Sequence, residues 1–298
     1  MIKNIGFIGL GQMGKWMALN LIRNRFDLTV CDVNDKAVAF LTDQGARRAQ
    51  TPAELAQSAQ LIILSLPNTD VVAEVLLGKE GVVHGCSSGQ IVVDCGTSGY
   101  LRTQEISRTL GKQNVRFVDA PVTGMEQRAR DATLTIMFGG AEEVLAEIRP
   151  VLEAMGKEIV HMGDVGKGQL AKMINNIIYN SNLAALAEVL PMAVKLGLDP
   201  ERIGLVINSG SGHSFASEAF IPNILKGIFN NSYPMEHAYK DLLHAMEISA
   251  QKKIPLPMVH TAANTYQMAL AMGLGREDKG AMIKVFEKAL GVEFRKNN

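Results

Sequence analysis

A glycine-rich turn close to the N-terminus constrains the fold of this chain more than any other feature. The turn reads GLGQMG over residues 9–14 and lies between an apolar run at Ile5 to Ile8 and a helical pattern from Lys15 to Arg23. Glycines at this spacing permit a tight strand-to-helix turn and let the main chain approach a pyrophosphate, while the helix N-terminus offers free N–H donors. Such a turn is also compatible with a purely structural role. As a phosphate cradle it would use Gly9, Gly11, Gln12, Met13 and Gly14.

An acidic residue after the next strand supports a dinucleotide site. Asp32 lies eighteen residues after Gly14, close to the roughly 20-residue spacing at which a carboxylate accepts hydrogen bonds from the adenosine ribose. The same carboxylate would repel a 2′-phosphate, and residues 33–35 include no arginine that would offset this repulsion. The pattern favours NAD as the cofactor, while Lys36 leaves NADP possible.

The order of apolar runs divides the chain into two parts. Up to Gly163, short apolar runs alternate with amphipathic stretches, which is typical of βαβ units and a parallel sheet. Beyond it, apolar residues recur at helical spacing, most clearly from Gln169 to Leu196, where Pro191 predicts a kink or break. We predict an α/β domain at residues 1–163 and a helical domain at residues 164–298. The predicted strands are Ile5 to Ile8, Leu28 to Cys31, Leu61 to Leu64, Ile91 to Asp94, Arg116 to Asp119, Leu134 to Phe138 and Ile159 to His161.

The composition argues against several classes of function. Lys and Arg together number 30, as do Asp and Glu, so the chain has no basic field that would attract nucleic acid or a membrane surface. The three cysteines form no CxxC pair and have no histidines at ligand spacing, which predicts neither a disulfide nor a metal site. The N-terminal apolar run is far shorter than the roughly 20 residues that cross a bilayer, and we expect a cytoplasmic protein. The apolar second half favours a homodimer or homotetramer.

Several motifs together resemble those of the β-hydroxyacid dehydrogenases. The run GLGQMGKWMALNL at residues 9–21 resembles the opening signature of that family, and five further motifs follow in the family's order. They are LPN at 66–68, DCGTS at 94–98, DAPVTG at 119–124, GQLAKMINN at 168–176 and KDL at 240–242. The resemblance implies a Rossmann-like N-terminal domain, a long connecting helix and an all-α C-terminal domain for substrate binding and oligomerisation. It also implies hydride transfer between NAD(P) and a small hydroxy acid, with cofactor contacts at Leu66, Pro67, Thr97 and Lys240.

The resemblance assigns the catalytic role to Lys172. Oxidation of an alcohol requires a base for the hydroxyl proton, and the reverse reaction requires an acid, so one amine can serve both directions. Asn176 lies four residues later on the same helix face, where it would orient the lysine or bind the substrate hydroxyl, and Asn175 would contact substrate. Alternatively, these are polar residues on a solvated face. The apolar residues around them predict instead a helix that is buried on most sides.

The substrate's acid group needs hydrogen-bond donors, and the loop after Asp119 offers them. The Thr123 hydroxyl and the Gly124 main chain would bind the anion. Thr123 replaces the family's usual serine, and Met125 adds bulk where the family has a second glycine. Either Arg128 or Arg130 could bind a second anionic group, and His213 is a candidate for lining the pocket, although surface positions are the alternative for all three.

The resemblance to these dehydrogenases implies that the substrate is a 3-hydroxy acid or its semialdehyde. It would be of the hydroxyisobutyrate, hydroxymethylglutarate, tartronate semialdehyde or sulfolactaldehyde type. The stretches GLGRED at 273–278 and TLTIM at 133–137 look closest to the hydroxymethylglutarate enzymes. Two other functions are compatible with the motifs: imine reduction, against which Lys172 argues, and dinucleotide binding without catalysis.

Overall fold

The computed structural model describes residues 2–230 and 233–296. The chain forms two compact units, one ending at Lys172 and the other beginning at Met173. This division falls inside a helix, whereas the sequence pattern places the boundary at residue 163, where the last strand ends.

The first unit is a mixed sheet with helices between its strands. Its strands are β1 (Asn4–Ile8), β2 (Asp27–Cys31), β3 (Arg47–Arg48), β4 (Leu61–Leu64), β5 (Ile91–Asp94), β6 (Arg116–Asp119), β7 (Val122–Thr123), β8 (Leu134–Gly139) and β9 (Gly156–Gly163). Its helices are α1 (Gly14–Arg23), α2 (Asp35–Thr42), α3 (Pro52–Ser58), α4 (Thr69–Leu77), α5 (Tyr100–Gly111), α6 (Met125–Arg130) and α7 (Glu142–Glu153), with a 3₁₀ turn at Val82–His84.

The strand order creates a ligand crevice beside the glycine turn. Along the sheet the order is β3-β2-β1-β4-β5-β6-β8-β7, and β9 pairs with β8. Because the chain runs from β1 to β2 on one side and returns to β4 on the other, the order reverses between β1 and β4. In an open α/β sheet, ligands bind at the carboxyl ends of the strands flanking such a switch point.

The prediction of a parallel sheet is confirmed for β1 to β6 and for the pair of β8 and β9, and it is wrong where β8 pairs antiparallel with β6 and β7. A return to parallel pairing requires a connection that crosses the sheet. The six-residue helix α6, which rises only about 9 Å, is too short for this. The chain therefore re-enters the sheet as an antiparallel strand.

Burial of the central strands explains why the sequence pattern predicted them. Every residue of β4 and β5 is buried, as expected for parallel strands that are covered on both faces. Alternate residues enter different cores: Leu61 and Ile63 pack in the cluster with Phe7, while Ile62 and Leu64 pack in the cluster with Leu55.

The second unit is helical. A long helix, α8 (Lys167–Lys195), runs through the boundary, and α9 (Pro200–Ser209), α10 (Phe215–Leu225), α11 (Met235–Lys252), α12 (Pro257–Ala271) and α13 (Ile283–Leu290) follow, with a 3₁₀ turn at Lys279–Met282. The core of this unit forms around Leu183, Leu190, Phe220, Leu242 and Tyr266.

Helix α8 departs from its prediction in two respects. It continues through Pro191, so the break does not occur, and the alternative, a kink, stays a prediction; the neighbouring Leu190 is fully buried, and this packing offsets the missing backbone hydrogen bond. It is also less buried than expected, because Ile174 is 52% and Ile178 is 58% exposed. By length and hydropathy alone α8 could cross a bilayer, and 44% of its apolar window is buried inside the protein.

Candidate functional site

The glycine turn has the geometry that a phosphate cradle requires. Gly9 has a φ of +95°, and a Cβ there would overlap the main-chain oxygen of Ser65. A Cβ at Gly14 would overlap the carbonyl oxygen of Gly9, so these two glycines are required for packing. Gly11 differs, because no atom lies within 4 Å of the position that a Cβ would occupy there. The space beside Gly11 is therefore open to a ligand.

Asp32 joins the glycine turn to the loop before α2. Its Oδ2 accepts a hydrogen bond from the main-chain N–H of Leu10 at 2.5 Å, and its Oδ1 accepts one from that of Asn34 at 2.7 Å. Each carboxylate oxygen keeps a further lone pair for a ribose hydroxyl.

The sequence reasoning overlooked one cation near this loop. It is Arg48 on β3, whose guanidinium lies 2.6 Å from Asp35.

A cleft of about 400 Å³ lies on this side of the turn. Its lining residues are Leu10, Gly11, Gln12, Lys15, Trp16, Asn34, Lys36, Ala37 and Phe40. Of the predicted cofactor residues, it brings together Gly11 and Gln12, and it includes Lys36, the residue that left NADP possible.

Leu66 connects the glycine turn to the loop after β5. Its Cδ2 would lie 3.0 Å from a Cβ at Gly9, and its carbonyl oxygen would lie 2.8 Å from a Cβ at Gly96. Pro67 is exposed, and Asn68 caps α4 by accepting a hydrogen bond from the N–H of Val71 at 3.0 Å. The predicted contacts Leu66 and Pro67 thus lie along the switch-point edge of the sheet.

The loop that carries Thr97 is held by buried polar groups. Asp94 accepts hydrogen bonds from the N–H of Gly96 at 2.9 Å and from the hydroxyl of Ser98 at 2.7 Å. The side chain of Gln169 accepts from the N–H of Ser98 and donates to the carbonyl of Gly96, each at 3.0 Å. Thr97 itself is half-buried between these two fixed residues.

Asp119 holds the start of helix α8. Its buried carboxylate accepts hydrogen bonds from the N–H of Gly166 at 2.5 Å and from that of Gln169 at 2.8 Å. Burial raises the pKa of Asp119 to about 6, although these two hydrogen bonds lower it. Burial also raises the pKa of Asp94, which faces Asp119 on the neighbouring strand.

Lys172 is half-buried on α8, one turn beyond Gln169. Asn176 follows four residues later on the same helix, so the two side chains share a face. The Nδ2 of Asn176 donates to Asp241 at 2.8 Å, and its Oδ1 accepts from Asn175 at 3.2 Å. Asp241 therefore fixes which end of the Asn176 amide is the acceptor.

The loop after Asp119, which is predicted to bind the substrate's acid group, has a strained backbone. Thr123 ends β7 and pairs with Thr135 of β8, and Gly124 has a φ of +139°. Met125 has a φ of +62°, a conformation that disfavours a side chain, and it is 46% exposed. The alkyl chain of Arg128 covers Gly124, because a Cβ there would lie 2.6 Å from Cδ of Arg128. The structure thus brings Thr123, Gly124 and Arg128 together.

A further group of residues links helix α6, which follows this loop, to α1. Glu126 accepts hydrogen bonds from Trp16 at 2.8 Å and from Gln12 at 3.0 Å. These bonds, the Trp16 bond above all, lower the pKa of Glu126. The Arg130 guanidinium lies 3.7 Å from Glu126 and 4.3 Å from the Trp16 ring centroid. Arg130 is therefore engaged with α1.

Two predicted residues lie on the second unit without a described link to the loops above. His213 is exposed, and its Nε2 lies 3.4 Å from Glu218. Lys240 is exposed on α11, beside Asp241. Their contacts with substrate and cofactor remain predictions.

Sequence reasoning missed the side chains that hold the site together, which are the buried Asp94, Ser98, Asp119 and Gln169 and the partly exposed Glu126. The motifs include four of these residues, but only the fold shows their partners. A buried polar residue beside a strand end was the available signal, because such a residue needs a partner.

Comparisons with known proteins agree with this geometry. The family model described as the NAD binding domain of 6-phosphogluconate dehydrogenase matches residues 4–163, and that described as NAD-binding of NADP-dependent 3-hydroxyisobutyrate dehydrogenase matches residues 166–286. The 2-(hydroxymethyl)glutarate dehydrogenase of Eubacterium barkeri is 39% identical over 289 residues, which cover 97% of this chain and 96% of the relative. The 3-sulfolactaldehyde reductase of Escherichia coli (strain K12) is 34% identical over 97% of both chains. The solved structure of a 3-hydroxyisobutyrate dehydrogenase from Salmonella typhimurium has a TM-score of 0.88 at 28% identity and covers 95% of this chain and 100% of its own.

A glycine turn at the switch point of an α/β sheet, followed by a helical unit, defines a dinucleotide-binding protein. With these matches, the chain belongs to the β-hydroxyacid dehydrogenase family, as the motifs predicted. It is an NAD(P)-dependent oxidoreductase that acts on CH–OH groups.

Proposed function

We propose that this protein interconverts a small 3-hydroxy acid and its semialdehyde with NAD as the preferred cofactor and Lys172 as general acid and base. One observation carries the proposal: Lys172 lies one helical turn from Gln169, which binds the loop of Thr97 directly. This shared attachment supports a position of the half-buried Lys172 near the loop that follows β5, the strand next to β4.

The chemistry divides between the cofactor and the chain. When bound, the nicotinamide accepts a hydride from the alcohol carbon or returns it to the aldehyde. Lys172 accepts the hydroxyl proton as the carbonyl forms and donates it in reduction, so charge and protons balance in both directions. The Asn176 amide, oriented by Asp241, would hold the substrate oxygen or the amine beside it.

The substrate we favour carries a second anionic group. Arg128 packs over Gly124 in the predicted anion site, and among the described residues no carboxylate forms an ion pair with its guanidinium. Arg130, by contrast, is engaged by Glu126. The name of the Eubacterium barkeri relative indicates a dicarboxylic hydroxy acid, which supports a hydroxymethylglutarate-type substrate.

A screen of hydroxy acids and semialdehydes against both nicotinamide cofactors, followed by the absorbance of the reduced cofactor, tests this function. We expect turnover of 3-hydroxy acids, highest for a dicarboxylate, with a higher kcat/KM for NAD than for NADP. Tight NADH binding without turnover of any of these compounds would favour a non-catalytic dinucleotide-binding protein. Reduction of cyclic imines, but not of semialdehydes, would favour an imine reductase.

We also propose that the protein is a cytoplasmic homodimer or homotetramer. Large apolar side chains of the second unit are exposed in the single chain, among them Leu196, Leu205, Val206 and Met258. Exposed apolar surface of this extent favours self-association. Light scattering during size-exclusion chromatography would test it, and a monomeric mass at micromolar concentration would contradict it.

A further inference from the structure

The side chain of Gln169 is used entirely within the first unit. The residue is 1% exposed, and its amide makes two hydrogen bonds to one loop, donating to the carbonyl of Gly96 and accepting from the N–H of Ser98. Because the donor and the acceptor face different main-chain groups, only one orientation of the amide satisfies both. The loop is therefore held at the residues before and after Thr97.

The same loop is held from the other side by Asp94. Its carboxylate binds the N–H of Gly96 and the hydroxyl of Ser98. Gly96 and Ser98 thus each have one bond to Asp94 and one to Gln169. Thr97 is the half-exposed residue that these four bonds position.

Helix α8 is fixed to the sheet at the same point. Asp119 binds the main-chain N–H of Gln169, and Asp119 pairs in register with Asp94 on the neighbouring strand. A Cβ at Gly168 would lie 2.8 Å from the Asp119 carboxylate, so the first turn of α8 is pressed against the strand ends. The helix start, the strand ends and the loop form one hydrogen-bonded assembly.

We propose that Gln169 is a positioning residue, which fixes the Thr97 loop to helix α8 and thereby sets the separation between that loop and Lys172. The inference rests on the proposed function of Lys172. Residues three apart on a helix are neighbours, with a rise of about 4.5 Å between them, so a shift at Gln169 moves Lys172. A displacement of about 1 Å between reacting groups can lower a rate by about 100-fold.

The test compares two buried glutamines. Gln169 binds the loop after the carboxyl end of β5, and Gln90 lies directly before the amino end of β5. Q169M removes both hydrogen bonds at similar side-chain volume. Q90M is the matched control, because the buried Gln90 amide also binds main-chain groups, those of Ala56, Ala59 and Ser87, but at the end of the sheet remote from Thr97. Both variants should lower the melting temperature.

Only Q169M should lower kcat, by about 10- to 100-fold, with the Kd for NADH changed by less than about threefold. It should also raise the isotope effect with deuterated NADH, because hydride transfer becomes rate-limiting. A kcat of Q169M within about twofold of wild type, at a melting temperature as low as that of Q90M, would overturn the inference. If Q169M does not fold, Q169L replaces it, since leucine also removes both hydrogen bonds; wild-type kcat in Q169L overturns the inference equally.

Amide hydrogen exchange separates this inference from the proposed function. The N–H of Ser98 should exchange faster in Q169M than in wild type or Q90M, whether or not a substrate is turned over. Unchanged exchange at Ser98 would refute the role of Gln169 even in an active enzyme. If the wild type turns over no hydroxy acid but the N–H of Ser98 exchanges faster in Q169M, the proposed function is refuted. The inference that Gln169 fixes the Thr97 loop is then retained.

Discussion

Asp94 and Asp119 lie opposite one another at the carboxyl ends of adjacent parallel strands, and both carboxylates are fully buried. Each serves a different segment: Asp94 holds the loop of Thr97, and Asp119 holds the first turn of α8. Two buried carboxylates at one strand edge are costly, since burial disfavours their charged forms. Because of this cost, the stability of the folded protein depends on pH.

The stability of the wild type relative to D119N should fall with rising pH. Burial raises the pKa of Asp119 from 3.8 to about 6, so the folded protein binds this proton more tightly than the unfolded chain. The resulting contribution to the free energy of unfolding is complete below pH 3.8 and is lost as the pH rises through about 6. Denaturant titrations of both proteins across this window measure the difference. A difference that grows with pH would show that the hydrogen bonds to the ionised carboxylate outweigh its burial.

Gly11→Ala should impair cofactor binding and spare the fold. No atom lies within 4 Å of a Cβ at this position, so the melting temperature should change by little, but the methyl group would occupy the space beside the turn that a pyrophosphate needs. We expect the Kd for NADH to rise by about tenfold or more, a loss of at least about 1.4 kcal/mol. Gly111→Ala is the control, because its Cβ also meets no atom within 4 Å and it lies in α5, away from the turn. Equal NADH binding in both variants would remove Gly11 from the phosphate site.

Asp32→Ala should weaken binding of NAD more than binding of NADP. The substitution removes an acceptor for the ribose hydroxyls and also the repulsion of a 2′-phosphate. Since Asp32 also holds Leu10, both affinities should decline somewhat, and the informative quantity is their ratio. The ratio of Kd values for the two cofactors, measured by calorimetry, should move towards NADP by about tenfold. An unchanged ratio would place the ribose elsewhere.

Arg128→Ala should raise KM for dicarboxylic hydroxy acids and leave KM for monocarboxylic ones nearly unchanged. Loss of a charge-assisted hydrogen bond of about 1.5–3 kcal/mol corresponds to a rise of about 10- to 100-fold. Arg130→Ala is the matched control, because Arg130 lies on the same short helix but is engaged by Glu126 and Trp16. If R128A has the KM of wild type for dicarboxylic hydroxy acids as well as for monocarboxylic ones, Arg128 does not bind the substrate.

Much of the first unit could be predicted because its strands are short runs buried on both faces. The predicted bounds of β4, β5 and β6 agree with the structure. The missed elements β3 and β7 have two residues each, too few for a periodic pattern. Helix α6 was missed because its sequence, MEQRAR, has only two apolar residues, which is too few for a periodic pattern, and a hydrogen bond from Trp16 of α1 to Glu126 secures it.

The motifs located the candidate site but not its internal bonds. Gln169 binds groups 71 and 73 residues away, and Asn176 binds Asp241 across 65 residues. Such pairings depend on tertiary structure, which hydrophobic periodicity does not encode. For the same reason the sequence predicted α8 as buried on most sides, although Ile174 and Ile178 are exposed in the single chain.

The most direct test of the account is the turnover of Lys172→Ala beside Lys195→Ala, a lysine at the other end of the same helix. We expect K172A to lose about 100- to 10,000-fold in kcat, the usual contribution of a general acid and base, while its Kd for NADH stays near that of wild type. K195A should keep wild-type kcat. A K172A enzyme that turns over hydroxy acids as fast as K195A would contradict the assignment of Lys172 as the proton carrier.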